Sequence, residues 1–142
     1  MEAAHDRSRL CALVLALVVV AGLAGCAKKV AVSISSTVPA AQAEIKTSKD
    51  KNENSVVDLK VKYLAPPDRL TPPRSVYVVR VEAQDRVTVN VGRLKLSDKL
   101  EGGIRVTTPY KSFRIVVSAE DDALARSPGS HRVIETGQIN IR

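Results

Sequence analysis

Val57-Asp-Leu-Lys-Val-Lys-Tyr63 alternates apolar and charged residues without a break. Successive side chains on a strand point to opposite faces. Val57, Leu59, Val61 and Tyr63 therefore share one face, and Asp58, Lys60 and Lys62 share the other. The segment predicts a strand with one face in a core and one in water. Just upstream, Ala41, Ala43 and Ile45 alternate with Gln42, Glu44 and Lys46 in the same way. The polar residues 48–54 between them read as a turn, so the two runs form a hairpin.

The same period continues downstream. Val76-Tyr-Val-Val-Arg-Val-Glu82 is apolar on nearly both faces and predicts a central strand. Gln84-Asp85 is a turn, and Val87, Val89 and Val91 then alternate with Arg86, Thr88 and Asn90 in a second hairpin. Leu94 and Leu96 continue after Gly92, and Glu101-Gly-Gly103 turns the chain into Ile104–Thr107. Phe113, Ile115, Val117 and Ala119 share one face of the next strand. Val133-Ile134 and Ile139-Asn-Ile141 close the chain, and Val30, Val32 and Ile34 offer a strand at its start. Between the two hairpins, Ala65-Pro-Pro-Asp-Arg-Leu-Thr-Pro-Pro-Arg74 lacks the N–H groups a sheet interior needs. It reads as a stiff connector between two sheets, with a groove-docking segment as the lesser alternative.

No sustained helical period accompanies these strands, and β-branched residues outnumber leucine. The expectation is an all-β, Ig-like or fibronectin-like antiparallel sandwich of about seven or eight strands. The chain has 142 residues, 44% hydrophobic and 26% charged, which suits one folded domain. Aromatics are 3% and Trp is absent, so the core must be aliphatic. The two cysteines exclude a disulfide scaffold.

The N-terminus has a different character. Arg7 and Arg9 precede an uncharged run from Leu10 to Ala27 that ends in small residues. A basic start, an apolar middle and a small-residue end make a secretory signal. Leu23-Ala24-Gly25-Cys26 resembles the lipobox of bacterial lipoproteins at every position. The resemblance implies a diacylglyceryl group on the Cys26 thiol and cleavage before it. An ordinary signal peptide or an uncleaved transmembrane helix is the alternative; the helix would sit at the short limit of the roughly 20 residues a span needs. The expected organisation is a signal peptide over 1–25, a lipidated tether and candidate first strand over 26–36, and the sandwich over 37–142. The acidic and basic residues lost with 1–25 cancel, so the formal net charge of +7 stays on the exported part. Ala27 stands where an Asp would signal inner-membrane retention. The outer membrane, on its periplasmic face, is therefore favoured if the cell is Gram-negative. Lys28 and Lys29 would lie near lipid headgroups.

A second resemblance rests on Leu64-Ala-Pro-Pro-Asp-Arg-Leu70, Tyr77-Val-Val, Gly92, Leu94, Thr108-Pro109, Phe113-Arg-Ile-Val-Val-Ser-Ala-Glu120 and Ser127-Pro-Gly129, in that order. The set resembles small, uncharacterised bacterial lipoproteins. More distantly it is similar to the extracytoplasmic C-terminal domain of anti-sigma-K-type factors. The resemblance covers about residues 37–135 and implies a fold and an envelope location, with no reaction attached. It departs at Arg80, where an aromatic would be expected. The chain also opens on its export signal without a cytoplasmic sigma-binding segment, which argues against a direct anti-sigma role.

Catalytic signals are few. His131 is the single histidine beyond the signal, and it sits in a Ser-Pro-Gly-Ser loop beside Arg132. A nucleophile–histidine set would have to use it, and a surface-loop role is favoured. Glu120-Asp121-Asp122 lacks the spacing of a calcium loop and reads as solvated. No metal, cofactor or catalytic site is expected. Basic residues lie along the strands, and Lys60, Lys62, Arg80 and Arg114 form a candidate anion-binding patch. Arg80 shares a face with Val76 and Val78, so it must either reach the surface or meet an acid from a neighbouring strand. The expected partners are membrane lipid through acylated Cys26 and anionic envelope components or another envelope protein, with no nucleic acid. The function expected is a non-enzymatic interaction or structural module at the membrane surface. The alternative is a sensory or regulatory domain linked to an envelope sigma/anti-sigma system.

Overall fold

The computed structural model describes residues 30–85, 87–126 and 129–142. The lipobox, Cys26, Lys28, Lys29, Arg86 and Ser127-Pro128 lie outside the described residues. Within them, nine strands form two antiparallel sheets. The strands are β1 (Val32–Ile34), β2 (Gln42–Lys49), β3 (Ser55–Lys62), β4 (Val76–Ala83), β5 (Thr88–Leu94), β6 (Gly102–Thr108), β7 (Ser112–Glu120), β8 (Arg132–Thr136) and β9 (Ile139–Asn140). The smaller sheet runs β2-β3-β6. The larger runs β1-β8-β7-β4-β5, with β9 also paired to β7. Each hairpin stays in its own sheet, β6 returns to β3, and β7 returns to β4. This is the crossed connectivity of an immunoglobulin-like or fibronectin-like sandwich. The count exceeds seven or eight because the chain breaks at Gly137, and two-residue β9 then pairs separately with Ser112 and Phe113.

The alternation read from the sequence builds the core. On β7, Phe113, Ile115 and Val117 are fully buried, and they pair with Ala83, Val81 and Val79 on β4. Opposite them stand Val57, Leu59 and Val61 of β3 and Val106 of β6. Aliphatics thus fill the gap between sheets, with Tyr77 and Phe113 as the large aromatic contributions. Each such side chain stabilises the fold by roughly 1.5–3 kcal/mol through burial. The outer face of the smaller sheet carries Glu44, Lys46, Lys60, Lys62 and Arg105 in solvent. Charges along edge strand β2 also discourage pairing with another chain.

The turn between β2 and β3 is held by Asp50. Its Oδ1 accepts from the backbone N–H of Asn52 and of Asn54, both at 2.8 Å, and its Oδ2 accepts from Asn54 Nδ2 at 2.9 Å. These donors, led by the Asn54 side chain, hold the Asp50 carboxyl below its ordinary value.

Three local expectations are corrected. Tyr63 does not join the inward face. The strand ends at Lys62, and a φ of 54° at Tyr63 swings its ring outward, leaving it 54% exposed. Glu101-Gly102-Gly103 is not the whole turn. Ser97 N–H donates to Glu101 O at 2.8 Å, closing the turn earlier, and Gly102 already begins β6. A Cβ at Gly102 would fall 2.4 Å from Lys95 O, so glycine is required where the two segments meet. The register of β5 also shifts opposite Val79 and Arg80, with Gly92 at φ 138° in the bulge. That edge leaves Val87 and Val89 each 39% exposed.

The pairing fixes two opposite ends of the sandwich. Val32 pairs with Thr136, Ser55 with Thr108, and β7 begins at Ser112 beside Asn140. The chain enters at this end, where Gly137 N–H donates to Ala31 O at 2.8 Å. The β3–β4 connector, the β5–β6 turn and the β7–β8 loop gather at the other end, since Val61 pairs with Gly102 and Val76 with Glu120.

Replacing Ile115 by Ala should cost about 2–5 kcal/mol of stability. Replacing Lys60 by Ala, on the wet face, should change it by less than about 0.5 kcal/mol. Urea unfolding of both variants measures the difference; equal losses would mean that Ile115 is not in the core.

Candidate functional site

The outer face of the larger sheet is not wet like that of the smaller one. Val78 and Arg80 of β4 and Val116 and Ser118 of β7 face away from the core, yet all four are fully buried. The β7–β8 loop is bonded across this face. Asn90 Nδ2 donates to Ala123 O at 2.9 Å, and Arg80 Nη2 donates to Ala125 O at 2.8 Å. Arg80 Nη1 donates to Ser118 Oγ at 2.6 Å and pairs with Glu120 Oε1 at 3.1 Å. Ser118 Oγ and Gly129 N–H also donate to Glu120 Oε1, at 2.6 and 2.8 Å.

Burial by itself raises the Glu120 carboxyl. The bonds from Ser118 and Gly129 and the charge and hydrogen bond of Arg80 outweigh it, and the net shift is downward from 4.5. Glu120 is therefore an ionised partner within the fold, not the solvated loop residue expected from its acidic neighbours. Arg80 meets an acid from a neighbouring strand, one of the two outcomes its apolar surroundings allowed.

The four residues of the candidate anion patch do not come together. Lys60 and Lys62 project from the outer face of the smaller sheet, while Arg80 and Arg114 lie on the larger one. Arg80 is 0% exposed, so no ligand reaches it. Arg114 Nε donates to Glu82 Oε2 at 2.7 Å, and Arg132 bridges Glu82 and Glu135 at 3.1 Å each. Arg80 and Arg114 are thus engaged in cross-strand ion pairs. Alternation assigned the faces correctly, but it does not tell which sheet a strand joins.

His131 lies beside Arg74, whose Nη2 is 3.0 Å from its Nδ1. Arg74 Nη1 pairs with Asp121 Oδ2 at 2.6 Å. Arg74 thus ties the end of the connector to the start and finish of the β7–β8 loop. Among the described residues, no three His, Cys, Asp or Glu side chains gather as a metal site requires.

A cleft of about 740 Å³ opens at the end of the sandwich away from where the chain enters. The Pro66-Pro67 connector forms one wall, and residues 93–98 with Leu100 form the other. Tyr77 supports the first wall from below, donating its hydroxyl to Ala65 O at 2.7 Å. Burial, with the charge of Asp68 adding, pushes the phenol up to about 12, so it remains a donor. The second wall is tied to the chain just past β3 by Leu64 N–H donating to Leu100 O at 3.2 Å. Arg69, Arg93 and Lys95 line the cleft with one acid, Asp98. Among the described residues none of these three cations takes part in an ion pair.

The sequence did not single out Arg69 or Lys95, and Arg93 was one basic strand residue among several. No spacing links residues 69 and 93; only the crossing of the connector joins them. Comparison of the chain with family models, with curated proteins and with solved structures finds no match.

Glu120→Gln should lower stability at neutral pH by about 3–5 kcal/mol, because it leaves Arg80 buried without its counter-charge. A carboxyl depressed in the folded state contributes stability above its unfolded value of 4.5, and that contribution is lost as pH falls through the folded value. The gap between variant and parent should therefore close on acidification from neutral pH to about pH 2. Urea unfolding across that range measures it, and a constant gap would show that Glu120 is not ionised in the fold.

Proposed function

We propose that the protein is a lipid-anchored bacterial envelope protein whose sandwich acts as a non-enzymatic interaction or structural module at the membrane surface. The observation that carries this reading is Leu23-Ala24-Gly25-Cys26 at the end of an uncharged run preceded by Arg7 and Arg9. Cleavage before Cys26 leaves a short tether of 26–31 ahead of β1. Two or three acyl chains on one cysteine hold firmly, since each buried methylene contributes about 0.8 kcal/mol. The sandwich then stands directly on the membrane, its first strand tied to β8. Ala27 favours the periplasmic face of the outer membrane in a cell that has one.

A non-enzymatic role draws support from the place of the polar residues. Arg80, Ser118 and Glu120 are locked in a buried network, and Arg74 holds His131 against a loop. Both sets serve to fasten the β7–β8 loop.

The sensory alternative draws on a different observation. Tyr77, Gly92 and Ala119-Glu120, which carry the resemblance to anti-sigma extracytoplasmic domains, fall on β4 and on its two neighbours β5 and β7 respectively. A sigma/anti-sigma pair encoded beside this protein would favour that reading.

Cys26→Ala should abolish fatty-acid labelling and move the protein out of the membrane fraction. Radiolabelled palmitate incorporation and fractionation measure both. Retention of label in the variant would overturn the lipid anchor.

A further inference from the structure

The cleft between the connector and the β5–β6 link is built like a binding site. At about 740 Å³ it falls within the range of small-ligand pockets. Its apolar lining comes from Pro66, Val76, Leu94 and Leu96, and Ser75 and Ser97 add hydroxyl groups. Its charge is lopsided, with Arg69, Arg93 and Lys95 against Asp98. Elsewhere the structure pairs its arginines closely: Arg74, Arg80, Arg114 and Arg132 each meet a carboxylate within 3.1 Å. Arg105 stands 3.8 Å from Asp58, and among the described residues Arg69, Arg93, Arg126 and Arg142 take part in no ion pair; of these four, Arg69 and Arg93 line this one cleft.

Two arginines suit an oxyanion, because the guanidinium fork matches the oxygens of phosphate and carboxylate groups. A lysine adds a point charge. Both walls are held in place without a ligand, by the Tyr77–Ala65 and Leu64–Leu100 hydrogen bonds. Little ordering is therefore needed on binding.

The position of the cleft says where the ligand comes from. The chain enters at the end marked by Val32 and Thr136, and the cleft lies at the opposite end. Thr136 lies level with Ile115, and the chain from there to Glu120 rises about 17 Å along β7 at the usual strand rise. The headgroups of the anchoring membrane are at the wrong end.

We propose that this cleft binds a small phosphorylated or carboxylated ligand carrying two or more negative charges, presented away from the anchoring membrane. The ligand's orientation relative to the membrane rests on the lipid anchor at Cys26; anion binding itself does not. Arg69 and Arg93 grip the oxygens, Lys95 adds long-range attraction, and the apolar wall receives the body of the ligand.

Calorimetric titration of the full lipidated chain in non-ionic detergent, with pyrophosphate and with citrate as probes, tests this. Saturable binding is expected for at least one, and which one distinguishes a phosphate from a carboxylate ligand. Arg69→Gln/Arg93→Gln should weaken it about tenfold or more, as the loss of charged hydrogen bonds implies. Lys60→Gln/Lys62→Gln removes the same charge from the other sheet and should weaken binding by less than about twofold. Thermal unfolding of both variants checks that the fold survives, and Lys95→Gln gives an independent loss of affinity if the arginine pair does not. No saturable binding of either probe, or equal weakening by both double variants, would overturn the proposal. Repeating the titration in phosphatidylglycerol and phosphatidylcholine proteoliposomes tests the orientation. Equal affinity in the two is expected, and competition by phosphatidylglycerol would show the cleft facing its own membrane. Binding that persists in Cys26→Ala keeps the cleft separate from the anchor, so either can fail alone.

Discussion

A guanidinium with no exposure to water dictates much of this structure. Arg80 sits among Val78, Val116 and Ser118 on a sheet face that would otherwise be an ordinary apolar surface. A buried charge is tolerated only where it is paired and hydrogen-bonded. Glu120 supplies the counter-charge, Ser118 a bridging hydroxyl, and Ala125 a carbonyl. The last of these requires the β7–β8 loop to lie across the sheet. Once it does, Gly129 reaches the same carboxylate, and a Cβ at that position would stand 2.7 Å from Glu120 Oε2. The loop, the end of β7 and the outer face of β4 are one cooperative unit.

That unit also disposes of cations. Glu82 takes Arg114 and Arg132, Glu120 takes Arg80, and Asp121 takes Arg74. A chain with net charge +7 cannot pair them all. On the smaller sheet the surplus is spread along strands beside Glu44 and Asp58, where water screens it. At the far end of the sandwich it is gathered between two walls. The same chemistry is a solubilising surface in one place and a site in the other, because geometry differs and composition does not.

The fold was legible because one face of nearly every strand is buried. Val57, Leu59, Val61 and the Phe113–Ala119 face state their burial through alternation, and the hairpin turns state theirs through Asp, Asn and Gly. Tyr63 misled because alternation carries no mark of where a strand stops; a left-handed backbone at that residue ends the pattern. Glu120 misled for a related reason. Its neighbours Asp121 and Asp122 are solvated, and only the three-dimensional return of β7 to β4 puts it beside Arg80. The candidate patch failed at the level of topology, since period two says which residues share a face and nothing about which strands share a sheet. The cleft was invisible for the same cause: Arg69 and Arg93 line it from two segments joined by a connector whose prolines announced stiffness but not direction.

That stiffness gives the connector its second role. A flexible link of similar length between β3 and β4 would leave Arg69 to wander, and ordering it would oppose any binding. Here prolines 66, 67, 72 and 73 limit the backbone, Arg74 N–H donates to Pro67 O at 2.8 Å, and Tyr77 holds Ala65 from the neighbouring strand. A segment needed to carry the chain from one sheet to the other is thereby made into a fixed wall. Its opposite wall is fixed by the close approach of Gly102 to Lys95. The sandwich thus presents a rigid cationic recess at the end opposite Gly137 and Ala31. The crossover that completes the fold is also what shapes the site.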